Sequence, residues 1–214
     1  KLYLSGKQPN QIYNNCAGKH LAMLTSCIVN NYPIKNYVDF DHPHQINIRK
    51  VFSKFTEDTI SKKNYGIDGC SAPQYAFAIK QLGKALSNLL NSYNGKFEYS
   101  RNTKLTVNAI LANPKFIGGS NNLDSNLIKI SNKNIFCKGG AEGVFLFVHF
   151  KKGIFGILKV KDGNERALPS AVYMLLKKFK ILTKEELNQL IYWNKTNLYN
   201  HAKIKIGSIR TIIE

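Results

Sequence analysis

Residues 144–161 read VFLFVHFKKGIFGILKVK, two apolar runs joined by a short polar turn. Aromatic and β-branched residues dominate both runs, which is typical of strands, and Lys151-Lys152-Gly153 supplies the turn of an antiparallel hairpin. The first run is apolar at nearly every position, so both of its faces should be covered by other elements. The stretch therefore predicts a small antiparallel sheet with helices packed around it.

Helical spacing of apolar residues flanks this hairpin on both sides. It predicts helices from Lys19 to about Asn30, from about His42 to Phe55, from Tyr75 to about Asn94, over 103–112, over 167–179 and from Thr183 to Trp193. Asp41 is the predicted N-cap of the second helix, and the tail, residues 204–213, predicts a third strand. Helices with a small antiparallel sheet give an α+β fold, formed as a single domain over residues 1–214.

The overall composition predicts a folded cytoplasmic protein. The chain has 214 residues, of which 43% are hydrophobic and 11% aromatic, enough to bury a core. No stretch approaches the roughly 20 apolar residues that a membrane span needs, and the first residues lack the apolar region of a signal peptide. No membrane association is therefore expected.

Positive charge is abundant, with a formal net charge of +18. Such an excess often serves nucleic-acid binding, because lysine and arginine neutralise phosphates. Here the lysines are scattered, with only short pairs and no basic arm or patch interleaved with aromatic residues. The distribution favours a solvated surface over a nucleic-acid interface.

Two cysteines lie in motifs rich in polar groups, NNCAGKH at residues 14–20 and DGCSAP at residues 68–73. Each precedes what reads as a helix, and a helix N-terminus favours a thiolate. Cys16, Lys19 and His20 share one side of a helix that starts at Cys16, and Cys70 can approach from the second motif. These groups suit a tetrahedral zinc site, although two thiols that simply pack together remain an equal interpretation.

Other reactive residues have weaker signals. His42 and His44 lie at a helix start and are expected to cap it or face solvent. Cys27 and His149 are expected to be interior residues. The segment Lys138–Val144 contains three glycines beside a lysine and an acid, so it predicts either an amino-acid-binding loop or a tight structural turn.

Lys159 lies near the end of the second apolar run, before Asp162-Gly163. Facing inward it would be a partly desolvated general base, and facing outward only a surface charge. The alternation of residues does not decide between these orientations.

Six motifs in order resemble the asparaginase II family of the rhizobial type. They are Asn15–His20, His42–Gln45, Asp68–Pro73, Pro114 with Ile117–Gly119, Lys138–Val144, and Leu158–Gly163 with Arg166-Ala167. The resemblance implies a serine β-lactamase-like (transpeptidase-like) fold and hydrolysis of L-asparagine to L-aspartate and ammonia. It also implies a zinc ion beside the substrate, held by Cys16, Lys19 and Cys70, and a catalytic role for Lys159 in a Ser-Lys pair. A homodimer is a further open expectation.

One feature of the resembled family has no counterpart here. Its members carry a further N-terminal segment of on the order of 100 residues, comparable to a small domain, with a Ser-x-x-Lys nucleophile motif. No serine in this sequence has a lysine three positions later. The expectation is a truncated or split L-asparaginase that comprises the C-terminal two-thirds of the family domain. The alternative is a non-catalytic zinc-binding remnant or interaction protein.

Overall fold

A computed structural model describes residues 3–120 and 122–213. The chain divides into two compact units, Lys1–Gln81 and Leu82–Glu214, which are treated separately below. Across the described ranges, no helix combines the length and apolar character that crossing a membrane requires.

The first unit is built from two helices followed by a short hairpin. Its elements are α1 (Ala17–Val29), α2 (Pro43–Thr56), β1 (Tyr65–Ile67) and β2 (Pro73–Tyr75), and α3 (Ile79–Tyr93) begins at its end. β1 and β2 pair antiparallel, with Ile67 opposite Pro73. The sequence prediction that a helix begins at Tyr75 is wrong, because Tyr75 belongs to β2 and is paired with Tyr65. The two helices predicted before it are confirmed.

His42, and not Asp41, caps α2. The His42 ring accepts a hydrogen bond at Nδ1 from the His44 backbone N–H (3.1 Å) and contacts the Pro33 carbonyl oxygen through Nε2 (2.8 Å). Proline favours the first helical position, so Pro43 moves the cap to the residue before it. Asp41 instead pairs with Lys62 at 3.0 Å.

The second unit contains the predicted hairpin in a three-stranded antiparallel sheet. The strands β3 (Ile135–Gly140), β4 (Val144–His149) and β5 (Ile154–Lys159) lie in the order β3-β4-β5. Phe145 and Val148 in β4 are fully buried. Phe147 lies opposite Gly156 of β5, where a Cβ atom would come within 2.5 Å of the phenyl ring. Glycine is therefore required for the close contact between these strands.

Helices surround this sheet, as the sequence predicts. They are α4 (Ser100–Ala112), α5 (Lys115–Gly118), α6 (Leu123–Ile130), α7 (Leu168–Lys178), α8 (Lys184–Gln189) and α9 (Ile191–Asn194). Leu127, Val172 and Leu176 from α6 and α7 join the buried core of the sheet. α6 has only eight residues and buries the polar Asp124 and Ser125 beside its apolar ones, so its sequence shows no clear helical period and did not predict it.

The predicted tail strand is present as β7 (Lys205–Arg210), in a sheet of its own. β6 (Lys195–Tyr199) and β7 form a separate two-stranded sheet, so β7 does not extend the sheet of β3, β4 and β5. β6 escaped prediction because its sequence, KTNLY, is mostly polar and follows directly on a helix. The mixture of helices and small antiparallel sheets confirms the α+β class.

Replacing Gly156 by alanine should destabilise the second unit by about 1–3 kcal/mol, because an added methyl group overlaps the ring of Phe147. Urea unfolding of the whole chain measures the effect. Gly207→Ala is the matched control, since a Cβ at this strand glycine meets nothing nearer than Leu198 Cδ1 at 3.9 Å. Equal midpoints for the two variants would contradict the packing described here.

Candidate metal centre

The turn between β1 and β2 carries the DGC motif. The Asp68 backbone N–H donates to the Ala72 carbonyl oxygen (2.9 Å), and the Ser71 N–H donates to the Asp68 carbonyl oxygen (2.8 Å). Ser71 adopts a left-handed conformation with φ of 70° to close the turn. Cys70 therefore lies in a strand-to-strand turn, and the expectation that it precedes a helix is wrong.

The start of α1 carries the other motif. Cys16 is the N-cap residue, and its backbone N–H donates to Asn14 Oδ1 at 2.8 Å. The first turn of the helix follows, and the His20 N–H donates to the Cys16 carbonyl oxygen at 3.1 Å. The side chains of Lys19 and His20 thus lie about one helical turn from Cys16, as their spacing predicts.

The Asp68 carboxylate joins these two segments. Its Oδ2 accepts hydrogen bonds from Lys19 Nζ (3.2 Å) and Gln74 Nε2 (3.0 Å), and its Oδ1 accepts one from the Gly69 N–H (2.7 Å). The Cys70 thiol lies 3.8 Å from Oδ2. The hydrogen bond from Lys19 and that from Gly69 lower the pKa of Asp68, so the group is ionised at neutral pH.

Three atoms suited to a metal meet at this point. Cys16 Sγ, Cys70 Sγ and a carboxylate oxygen of Asp68 all lie within 4.8 Å of one another. Ligands of a tetrahedral zinc ion are roughly 3.3–3.8 Å apart, given bonds of about 2.0–2.3 Å. Small side-chain rotations are therefore enough for these donors to share one ion, and thiolate sulfur is a preferred donor for zinc.

The two thiols differ in acidity although they are neighbours. Burial acts to raise the pKa of Cys70, but polar interactions with His20, the Ala72 backbone and Lys19 outweigh it and lower the pKa to about 7. Burial raises the pKa of Cys16, as does its hydrogen bond to Cys70. Slightly above neutral pH, one sulfur of the pair is therefore a thiolate and the other a thiol, so the two sulfurs together carry a single negative charge.

His20 is fixed by an aromatic neighbour. Its Nδ1 lies 2.6 Å from the Tyr37 hydroxyl oxygen, and the two rings meet edge to face. The other ring nitrogen, Nε2, is buried and makes no hydrogen bond of ordinary geometry to any residue that the structure describes. It therefore remains available to the Cys70 sulfur, whose pKa it lowers, or to a bound ligand.

The structure thus brings together Cys16, Lys19 and Cys70, the three residues predicted as metal and substrate ligands. It adds Asp68 and Gln74, which the sequence analysis did not select. The sequence does indicate that Asp68 lies near the site, since it stands two residues before Cys70 in the DGC motif. Gln74 had none, because its position depends on the unpredicted strand β2.

Lys159 lies in the second unit, at the end of β5. Its side chain is exposed, and Nζ donates to the carbonyl oxygens of Glu142 (2.6 Å) and Val160 (2.7 Å). Of the two orientations that the sequence left open, the described contacts match the outward one. The catalytic role implied by the resemblance stays a prediction.

The glycine-containing segment 138–144 shows strong packing constraints. A Cβ on Gly143 would lie 2.7 Å from Val160 Cβ, and Gly143 itself has a φ of 66°. Lys138 Nζ lies 3.5 Å from Asp124 Oδ2, and this carboxylate also accepts the Gly139 N–H at 2.8 Å. These contacts are those of a tight structural turn, and they account for the glycines of the segment.

The expected interior residues are confirmed. Cys27 is fully buried in the first unit. His149 is 6% exposed, and its Nδ1 accepts a hydrogen bond from the Lys152 N–H at 3.3 Å. Neither residue belongs to the centre formed by Cys16, Asp68 and Cys70.

Comparison with known protein families identifies the family of the chain. The model of the L-asparaginase II family matches residues 1–211, nearly the whole chain. The chain therefore belongs to the L-asparaginase II family, a class of asparaginase-type amidohydrolases. A comparison with curated proteins gives no match.

Replacing His20 by phenylalanine should raise the pKa of Cys70 above its value of about 7 by roughly one to two units. A hydrogen bond to a charged group contributes about 1.5–3 kcal/mol, and one pKa unit corresponds to 1.36 kcal/mol. The rate at which iodoacetamide alkylates Cys70, followed by peptide mass spectrometry across pH, measures the shift.

His201→Phe is the matched control, because His201 is exposed and lies in the turn between β6 and β7. In His201→Phe, the rate at which Cys70 is alkylated should still reach half of its maximum near pH 7. A profile that is the same in His20→Phe and in the unmodified chain would show that His20 does not stabilise the Cys70 thiolate.

Proposed function

We propose that the chain acts in the hydrolysis of the side-chain amide of L-asparagine, which yields L-aspartate and ammonia. Family membership over residues 1–211 supports this reaction class. The observation that carries the proposal is the cluster of Cys16, Asp68 and Cys70 with Lys19, because it combines metal donors with charged groups in a partly exposed site.

Zinc is the proposed metal of this cluster. Cys16 and Cys70 provide thiolate ligands, and Lys19 provides the third ligand that the family resemblance implies. Asp68 offers an oxygen ligand beside them. It competes with Lys19 for the third position around the metal, because one of its carboxylate oxygens lies within 4.8 Å of both sulfurs. A zinc ion bound there would supply a Lewis acid that polarises a carbonyl group.

The charges around the cluster suit an amino acid. Lys19 Nζ and Asp68 Oδ2 are 3.2 Å apart, and their side chains are 39% and 35% exposed. A free amino acid carries an ammonium and a carboxylate group. When Lys19 gives up its proton to bind zinc, Asp68 loses its partner and can accept the ammonium of the amino acid, so its charge is not left unpaired. Gln74, which donates to the same Asp68 oxygen, holds the carboxylate in place during this change of partner.

The finer expectations about the fold and the catalytic residues remain part of this proposal. The antiparallel sheet with surrounding helices is compatible with a serine β-lactamase-like arrangement. Lys159 is the proposed catalytic lysine. The nucleophile itself is assigned to no residue of this sequence, because none of its serines precedes a lysine by three positions.

A second candidate function is a zinc-binding interaction protein without catalysis. The absence of a Ser-x-x-Lys motif among the 214 residues favours it. Both candidates predict zinc binding, so only a response to L-asparagine separates them.

L-Asparagine should raise the thermal unfolding midpoint of the zinc-loaded chain by several degrees at saturating concentration, because ligand that binds only the native state stabilises it. Cys70→Ala should lose this shift, since the variant lacks a donor of the site. Cys27→Ala, which removes a fully buried thiol outside the site, should keep it. Differential scanning fluorimetry gives the midpoints, and an ammonia assay on the same samples reports hydrolysis.

Each outcome has a defined meaning. Ammonia release that is lost in Cys70→Ala would locate the nucleophile within these residues. A midpoint shift without ammonia release would support asparagine recognition by the cluster and leave hydrolysis dependent on a nucleophile from elsewhere. No shift in the zinc-loaded chain would contradict the proposed function and favour the interaction protein.

A further inference from the structure

We propose that Cys16 and Cys70 form an oxidative modification site, at which a hydroperoxide converts the two thiols into an intramolecular disulfide. The consequence for zinc and asparagine rests on the function proposed above, whereas the cross-link itself rests only on the position of the two sulfurs. The site would make the metal centre responsive to the redox state of its surroundings.

The distance between the two sulfurs is the first observation. They lie within 4.8 Å of each other, and bonded sulfurs are about 2.05 Å apart, so an approach of up to roughly 2.7 Å is needed. Cys16 stands at the N-cap of α1 and Cys70 in the turn between β1 and β2. Both residues lie at the edges of regular elements, where rotation of the side chains can close this gap without breaking a helix or a strand.

Access to the solvent is the second observation. Cys16 and Cys70 are partly exposed, whereas Cys27 and Cys137 are fully buried. Cys137 additionally donates to the Asp124 carbonyl oxygen at 3.4 Å within the core of the second unit. A small oxidant in water can therefore reach one pair of thiols and not the other two.

The chemistry needs one equivalent of hydroperoxide. One sulfur of the pair attacks the terminal oxygen, the O–O bond breaks, and a sulfenic acid forms with release of water when the oxidant is hydrogen peroxide. The second sulfur then attacks the sulfenic sulfur, the S–O bond breaks, and the leaving hydroxide takes up the proton of the second thiol. Two thiols are oxidised, the peroxide is reduced, and two molecules of water result.

The disulfide would switch off the centre. A thiolate is the form of cysteine that binds zinc, and a disulfide sulfur has no such charge. Oxidation thus removes two donors at once and leaves Asp68 and Lys19 as an ion pair. A dithiol reductant restores both thiolates, so the change is reversible.

The test treats the complete chain, freed of metal with a chelator, with a small excess of hydrogen peroxide. Free thiols are counted under denaturing conditions, and alkylated digests are examined by mass spectrometry. We expect the count to fall from four to two, with a peptide pair that joins Cys16 to Cys70 and is lighter by two hydrogens. Dithiothreitol should return the count to four.

Matched variants make the result specific. Cys27→Ala should still lose two thiols and give the same peptide pair, whereas Cys16→Ser and Cys70→Ser should give no such pair. Four surviving thiols, sulfinic acid at Cys16 and Cys70 without a joined peptide, or a cross-link between two chains would each overturn the proposal. Because the readout is mass and not activity, a chain that forms the disulfide but never responds to L-asparagine would refute only the proposed function.

Discussion

The Asp68 carboxylate is the interaction on which the candidate centre depends. It accepts hydrogen bonds from Lys19 at the start of α1, from Gln74 in β2 and from the backbone of its own turn. The interactions of Lys19 and His20 with Cys70 add further links between the same helix and the turn that carries Cys70. The carboxylate therefore helps to hold the two thiols near each other, together with Lys19 and His20.

The same arrangement makes the Cys70 thiol more acidic than the Cys16 thiol. His20, the Ala72 backbone and Lys19 act together on Cys70, and the resulting charge opposes ionisation of Cys16. A divalent cation would relieve that opposition, because a metal favours the deprotonated form of both ligands. The electrostatics of the centre therefore favour the binding of a divalent cation.

The sequence predicted the elements that have strong periodicity. The β4–β5 hairpin, α1 and α2 follow from long apolar patterns, and their packing agrees with those patterns. β1 and β2 have three residues each, too few for a period to be recognised, and they are the elements that position Cys70 and Gln74. The proposed metal ligands were accordingly selected from their motifs and the family resemblance, whereas Asp68 as the connecting group required the three-dimensional structure.

The most direct test of this account is a titration of the chain with cobalt(II), which replaces zinc in tetrahedral thiolate sites and reports sulfur ligation through charge-transfer absorption. We expect one equivalent of cobalt per chain, with absorption that falls in Cys16→Ser and in Cys70→Ser and is unchanged in Cys27→Ala. Absorption that is absent, or that survives the loss of both Cys16 and Cys70, would contradict the assignment of the metal centre.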